Sequence, residues 1–148
     1  HGRGAEQGGR MSETLNRQLA VGDRVVHKEF PPISRHKLAL YCGASGDHNP
    51  IHVDLDFARA AGYPDVFAHG MFVMACLGQA LTDAVPPPRL RTFATRFVAI
   101  TKLGASLTCE GHVSEFVEHN GERCAKLALT TRDQNGDVKL TGEAVFAI

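Results

Sequence analysis

Hydrophobic residues recur at helical spacing in the first half of the chain and at every second position in much of the second half. Gly22-Asp23 signals a turn, and Arg24 to Phe30 follows as a short strand that Pro31-Pro32 ends. Ser34 is placed to cap a helix running to about Ala44, with Leu38, Tyr41, Cys42 and Ser45 on one side and Gly46 as its stop. Asn49-Pro50 forces an irregular stretch, because proline disfavours helical backbone in the residue before it. Asp54 can cap a short helix from Leu55 to Ala61, closed by Gly62. From about Gly70 to Ala84 the chain is almost wholly apolar, which predicts a helix buried nearly all round until Pro86-Pro87-Pro88 ends it.

Something must wrap that helix. Leu90–Ile100, Ser106–Val117, Ala125–Arg132 and Val138–Ile148 read as strands, separated by Gly104, by His119-Asn120-Gly121 and by Gln134-Asn135-Gly136-Asp137. The two Asn-Gly pairs are hairpin signals. The alternation Leu107, Cys109, Gly111, Val113 fits an antiparallel sheet with one covered face. The fold class expected is α+β: an antiparallel sheet of about five strands wrapped around a long central helix, the hot-dog arrangement. Its exposed edges favour pairing of two copies into one continuous sheet.

Composition narrows the picture. The 148 residues are 43% hydrophobic and 22% charged, which suits one globular domain. Sixteen Lys and Arg balance sixteen Asp and Glu, against a broad basic face for nucleic acid. No apolar run approaches the roughly 18 residues that span a bilayer. Residues 1–10 are glycine-rich, without the apolar stretch of a signal peptide, and are read as a flexible extension or a remnant of expression; residues 11–148 are read as the single domain. Cys42, Cys76, Cys109 and Cys124 are far apart with no C-x-x-C pair, which suits reduced, buried thiols in a cytoplasmic protein rather than a zinc site.

Two short stretches carry candidate chemistry. In Gly46-Asp47-His48-Asn49-Pro50-Ile51-His52, Pro50 rules out one regular helix, so a turn can bring Asp47 and His52 toward one point. A carboxylate and an imidazole sharing one water is what hydration of a conjugated double bond requires: one proton leaves the water as another reaches the neighbouring carbon. The same residues also suit a plain polar turn, with Asn49 in an Asx turn and Asp54 as a cap, and spacing does not choose between the two. His48 and His52 are four apart, a metal-pair spacing that Pro50 disrupts. In Ala68-His69-Gly70-Met71, at the start of the apolar helix, the Gly70 N–H is suited to hold a carbonyl oxygen as it gains charge, or Gly70 simply allows close packing.

The run Tyr41 to His52, followed by Ala58 and then by Ala68-His69-Gly70-Met71, resembles the hydratase-2 motif and second signature of MaoC-like (R)-specific enoyl-CoA hydratases and the related (3R)-hydroxyacyl-thioester dehydratases. The resemblance covers essentially residues 15–148. It implies Asp47 and His52 as the catalytic acid–base pair, Asn49 as support for their loop, and the Gly70 N–H as the oxyanion donor. It also implies chemistry without metal or redox cofactor. Where some members carry a serine two turns into the central helix, this chain has Gly78.

An acyl-CoA or acyl-carrier-protein thioester is then the expected partner. Phe57, Phe67, Phe72, Met74 and Leu77 are candidates for the lining of an apolar tunnel, and His69, Phe72 and Phe67 are taken as substrate-binding residues. Arg89, Arg91, Arg96 and Lys102 are candidates for phosphate contacts. A hot-dog thioesterase and a non-catalytic acyl-thioester-binding subunit are the competing expectations.

Overall fold

Five strands form one antiparallel sheet in the computed structural model, which describes residues 18–148. They are β1 (Arg24–Glu29), β2 (Leu90–Phe97), β3 (Thr108–His119), β4 (Glu122–Arg132) and β5 (Val138–Ala147), in the spatial order β1-β3-β4-β5-β2. Three helices, α1 (Arg35–Ser45), α2 (Leu55–Ala60) and α3 (Gly70–Ala84), lie between β1 and β2 in the chain. The extension expected at residues 1–10 lies outside the described residues. No helix of the described residues is long and apolar enough to cross a membrane.

Local chemistry sets the ends of the elements. The Ser34 hydroxyl accepts the Lys37 N–H to start α1, and Gly46, at φ 76°, returns its N–H to Cys42 O to end it. The Asp54 carboxylate accepts the Phe57 N–H to start α2. Asn120 and Gly121 both have positive φ, 50° and 78°, as a two-residue hairpin turn of the primed type demands. Because that turn is so tight, the β3–β4 ladder runs right up to His119 and Glu122, further than the alternation alone predicts. At the β4–β5 turn the Asp133 carboxylate accepts the N–H groups of Asn135 and Asp137.

The wrapped helix is α3, which packs against β1, β3, β4 and β5. Val73, Cys76, Leu77, Ala80, Leu81 and Ala84 are buried in one cluster with the sheet residues Val26, Cys109, Val113, Leu127, Leu129 and Phe146. Gly111 lets β3 come close here: a Cβ on it would stand 2.6 Å from Leu129 Cδ2. An ion pair between Lys28 and Asp83 ties β1 to the far end of α3. All four cysteines are free and buried.

Two expectations need correction. α3 is not enclosed all round, since Met71, Ala75, Gln79 and Thr82 form an exposed stripe at about one-turn spacing. A single sheet covers one side of a helix, and the alanine, glutamine and threonine there leave little apolar surface to hide. β2 ends at Phe97 rather than Ile100. The N–H groups of Val98 and Ala99 both point to Lys139 O, at 2.9 and 3.5 Å, and two successive amides on one carbonyl break the alternation a ladder needs. The chain then turns, and its next stretch pairs Lys102 with Phe67 and Thr101 O with the Ala68 N–H. This pairing carries the segment leading into α3.

Candidate active site

The segment between α1 and α2 is built from side chains that accept backbone N–H groups a few residues on. Ser45 Oγ donates to Tyr41 O at 2.7 Å and accepts the Asp47 N–H at 3.1 Å. Asp47 Oδ1 accepts the Asn49 N–H, and Asn49 Oδ1 accepts the Ile51 N–H, each at 3.2 Å. Pro50–His52 then make one 3₁₀ turn. These are the Asx turns of the polar-turn reading, and they also bring Asp47 and His52 back toward each other. The two readings describe the same backbone.

His52 is buried, 8% exposed, while Asp47 is exposed. His52 Nδ1 lies 2.7 Å from Phe67 O. A carbonyl oxygen only accepts, so Nδ1 carries a proton and neutral His52 keeps its lone pair on Nε2. One donor atom from each of Asp47, His52 and His69 lies within 4.8 Å of the others. The His52 and His69 rings are stacked, with centroids 3.8 Å apart and planes 26° apart. His52 Nδ1 and His69 Nε2 each face a backbone carbonyl, which leaves each neutral ring one nitrogen without a proton. His48 is exposed and outside this cluster.

His69, expected near the substrate, is 1% exposed. Its Nε2 donates to the backbone carbonyl of Asp47 at 3.2 Å and lies 3.5 Å from Cys42 Sγ. Tyr41 packs edge-on against the His69 ring, 4.8 Å between centroids. Burial, and then the nearby His52, hold the His69 pKa below its ordinary 6.5. Burial, reinforced by the Asp47 charge, raises that of Tyr41.

Gly70 opens α3 and is exposed. Helix geometry leaves its N–H without an intrahelical partner, at the positive end of the helix dipole. The Phe97 ring lies over it, and a Cβ on Gly70 would stand 3.1 Å from Phe97 Cε1. Beside it is a cavity of about 320 Å³ walled by Phe67, Gly70, Val73, Phe97, Ile100 and Leu140, among others. Neither Asp47 nor His52 belongs to that wall. The cavity and the Asp47–His52 loop meet at Phe67, whose carbonyl holds His52.

Of the other tunnel candidates, Phe72 is half-buried against Tyr41, Leu77 is fully buried in the core, and Phe57 is 45% exposed. Met74 Sδ accepts the Thr95 hydroxyl at 3.3 Å. None of these four walls the cavity. Arg89 donates to Ala147 O and Arg91 forms a fork to Glu122, so both are engaged within the fold. Arg96 and Lys102 are exposed. At Gly78 a Cβ would make ordinary contact with Phe93, so a small side chain there would fit. The Cys42–His69 contact and the His52–His69 stack have no signal in the sequence, because they join turns whose relative placement only the fold decides.

A sequence model of the family described as MaoC like domain matches residues 16–134. The chain belongs to the MaoC-like family. Its fold is shared with the R-hydratase PhaJ1 of Pseudomonas aeruginosa at a TM-score of 0.75, with 30% identity over 87% of this chain and 82% of that one. Among curated relatives of this MaoC-like chain, the fatty acid synthase subunit beta of Aspergillus oryzae is 39% identical over 113 residues. The 3-hydroxyacyl-thioester dehydratase X of Mycobacterium tuberculosis is 44% identical over 74 residues. The matched parts are 72% and 50% of this chain, but only 5% of the synthase subunit and 26% of the dehydratase.

Proposed function

We propose that the protein catalyses reversible hydration of a trans-2-enoyl thioester to a (3R)-hydroxyacyl thioester, with Asp47 and His52 as its acid–base pair. The observation that carries this reading is the His52 ring, tethered through Nδ1 to Phe67 O and left with Nε2 for proton transfer beside the Asp47 carboxylate. In the hydration direction a water held between the two groups adds its oxygen to C3 of the double bond. One of the pair takes the proton the water loses, and C2 gains a proton as the enolate collapses. Asn49 supports the loop through its hydrogen bond to the Ile51 N–H. The Gly70 N–H receives the thioester carbonyl oxygen as it gains negative charge. Family membership and the likeness to an R-hydratase support both the reaction and its stereochemistry.

The acyl chain enters the cavity beside Gly70, with Phe67 at its reacting end. The thioester arm belongs to coenzyme A or an acyl-carrier protein, in the cytoplasm. Two copies pair along β2, an edge strand at whose end Phe97, Val98 and Ile100 are each about half exposed.

Incubation with crotonyl-CoA tests the reaction. Loss of enoyl-thioester absorbance without free thiol is the expected result. Thiol release would instead make the protein a thioesterase, and binding with neither change would make it a non-catalytic acyl-thioester-binding subunit.

A further inference from the structure

We infer that His69 is a positioning residue, which fixes the Asp47 backbone and the His52 ring in one geometry without itself carrying a proton in the reaction. The inference rests on the acid–base reading of Asp47 and His52 given above.

The loop that bears Asp47 and His52 has no strand to hold it. Its internal hydrogen bonds set its local shape, and through Ser45 they tie Asp47 only to the end of α1. His69 holds Asp47 from a different element. Its carbonyl accepts the N–H groups of Phe72 and Val73 and so forms the first turn of α3. Its Nε2–H reaches back to Asp47 O, 22 residues earlier, and its ring lies flat against His52. One buried side chain therefore joins the carboxylate's peptide, the imidazole and the helix terminus that presents Gly70.

The protonation pattern separates this role from catalysis. Because Nε2 donates to a carbonyl, neutral His69 has its lone pair on Nδ1. That atom is buried with no hydrogen-bond partner among the described residues. Protonating it would bury a charged N–H with nothing to accept it, against the His52 ring. The groups that face His69 are Asp47 and His52 from the loop and Tyr41 and Cys42 from α1. Asp47, the one acidic residue among them, hydrogen-bonds His69 through its backbone oxygen, and its carboxylate lies within 4.8 Å of the His69 ring without a hydrogen bond to it. At 1% exposure the ring offers no surface to a substrate.

Two substitutions separate the donor from the ring. His69→Gln places an amide N–H near the position of Nε2, whereas His69→Phe keeps a stacking ring and removes the donor. With crotonyl-CoA, His69→Phe should lower kcat about 100-fold, the scale on which small misplacements of catalytic groups act. KM should stay within about threefold, since ground-state binding is not touched. His69→Gln should recover kcat to within about fivefold of the parent, because the hydrogen bond that places the reacting groups is restored. A role confined to stability would lower the amount of folded protein without separating kcat from KM, and the bulkier ring would serve it as well as the amide. A parental kcat in His69→Phe, or a His69→Gln enzyme as slow as His69→Phe, would overturn the inference. If His69→Phe fails to fold, His69→Asn replaces it, as its shorter amide falls short of Asp47 O. Activity retained by Asp47→Asn and His52→Gln would instead sink the acid–base reading itself, and the two failures are thereby told apart.

Discussion

From Thr108 to Ala147 the backbone is held mainly by antiparallel ladders, and Cys109, Val113, Leu127, Leu129, Leu140 and Phe146 are buried in the core with α3. From Ser45 to Asp54 there is no ladder. There the chain is held by hydroxyl, carboxylate and amide side chains that each accept a nearby N–H, and by one histidine reaching over from the start of α3. The first region distributes its stability over many apolar contacts. The second depends on a few polar bonds, and leaves Asp47 exposed and His52 with a free nitrogen lone pair. A rigid sheet thus supports a loop whose polar groups are available for chemistry. The difference predicts that the two regions fail in different ways when altered.

The sharpest contrast comes from substituting Asp47 and His52, the acid–base pair we propose. Asp47→Asn and His52→Gln should each lower kcat on crotonyl-CoA by about 10²–10⁴-fold, the usual contribution of a general acid or base. The thermal midpoint of Asp47→Asn should hardly move, since Asp47 is exposed; His52→Gln, at a buried ring bonded to Phe67 O, should cost no more than about 1–3 kcal/mol and leave the protein folded. In the sheet, Phe146 is fully buried. Phe146→Ala should cost about 3–5 kcal/mol in urea unfolding, through lost transfer energy and the cavity left behind. The variant that remains folded should keep KM and kcat near those of the parent. A loop substitution that unfolds the protein, or a core substitution that spares stability but stops catalysis, would break the comparison.

The two regions also differ in how far the sequence reveals them. The sheet is legible because its causes are local and repeated: alternation gives the strands, and Asn120-Gly121 gives a turn that only positive φ satisfies. The caps Ser34 and Asp54 are legible for the same reason, as each acts on an amide three residues away. The end of β2 is not, because it depends on Lys139, some forty residues later, accepting two amides. In the loop, Pro50 correctly excludes a helix and the family motif points to Asp47 and His52. Spacing alone gives no hint that His69 stacks on His52 or binds Asp47 O, as those contacts need the placement of α3. The walls of the cavity were equally hidden, and of five candidate tunnel residues only Phe67 lines it. An apolar residue on a mostly buried helix carries no mark of whether it meets a ligand or the core.

A smaller effect tests whether the loop's dependence on single polar groups extends to folding. His69 is buried, and burial together with His52 holds its pKa below the ordinary 6.5. Above that pH, His69 is neutral in both the folded and the unfolded chain, and its contribution to stability is fully present. As the pH falls through 6.5, the unfolded chain binds a proton there that the folded chain refuses, so stability drops. The loss continues until the pH passes the lower folded value, below which both forms are protonated. Urea unfolding at pH 7.5 and at about pH 5.5, on either side of the unperturbed histidine value, should therefore show the parent losing more stability than His69→Gln. The glutamine cannot titrate, and all other groups are common to both proteins. The same comparison made with the sheet variant Phe146→Ala should give parallel pH dependences, because that substitution removes packing and no proton site. If parent and His69→Gln also ran parallel, His69 would bind its proton equally in both states, and its orphaned Nδ1 would have to find a partner in the protonated folded protein.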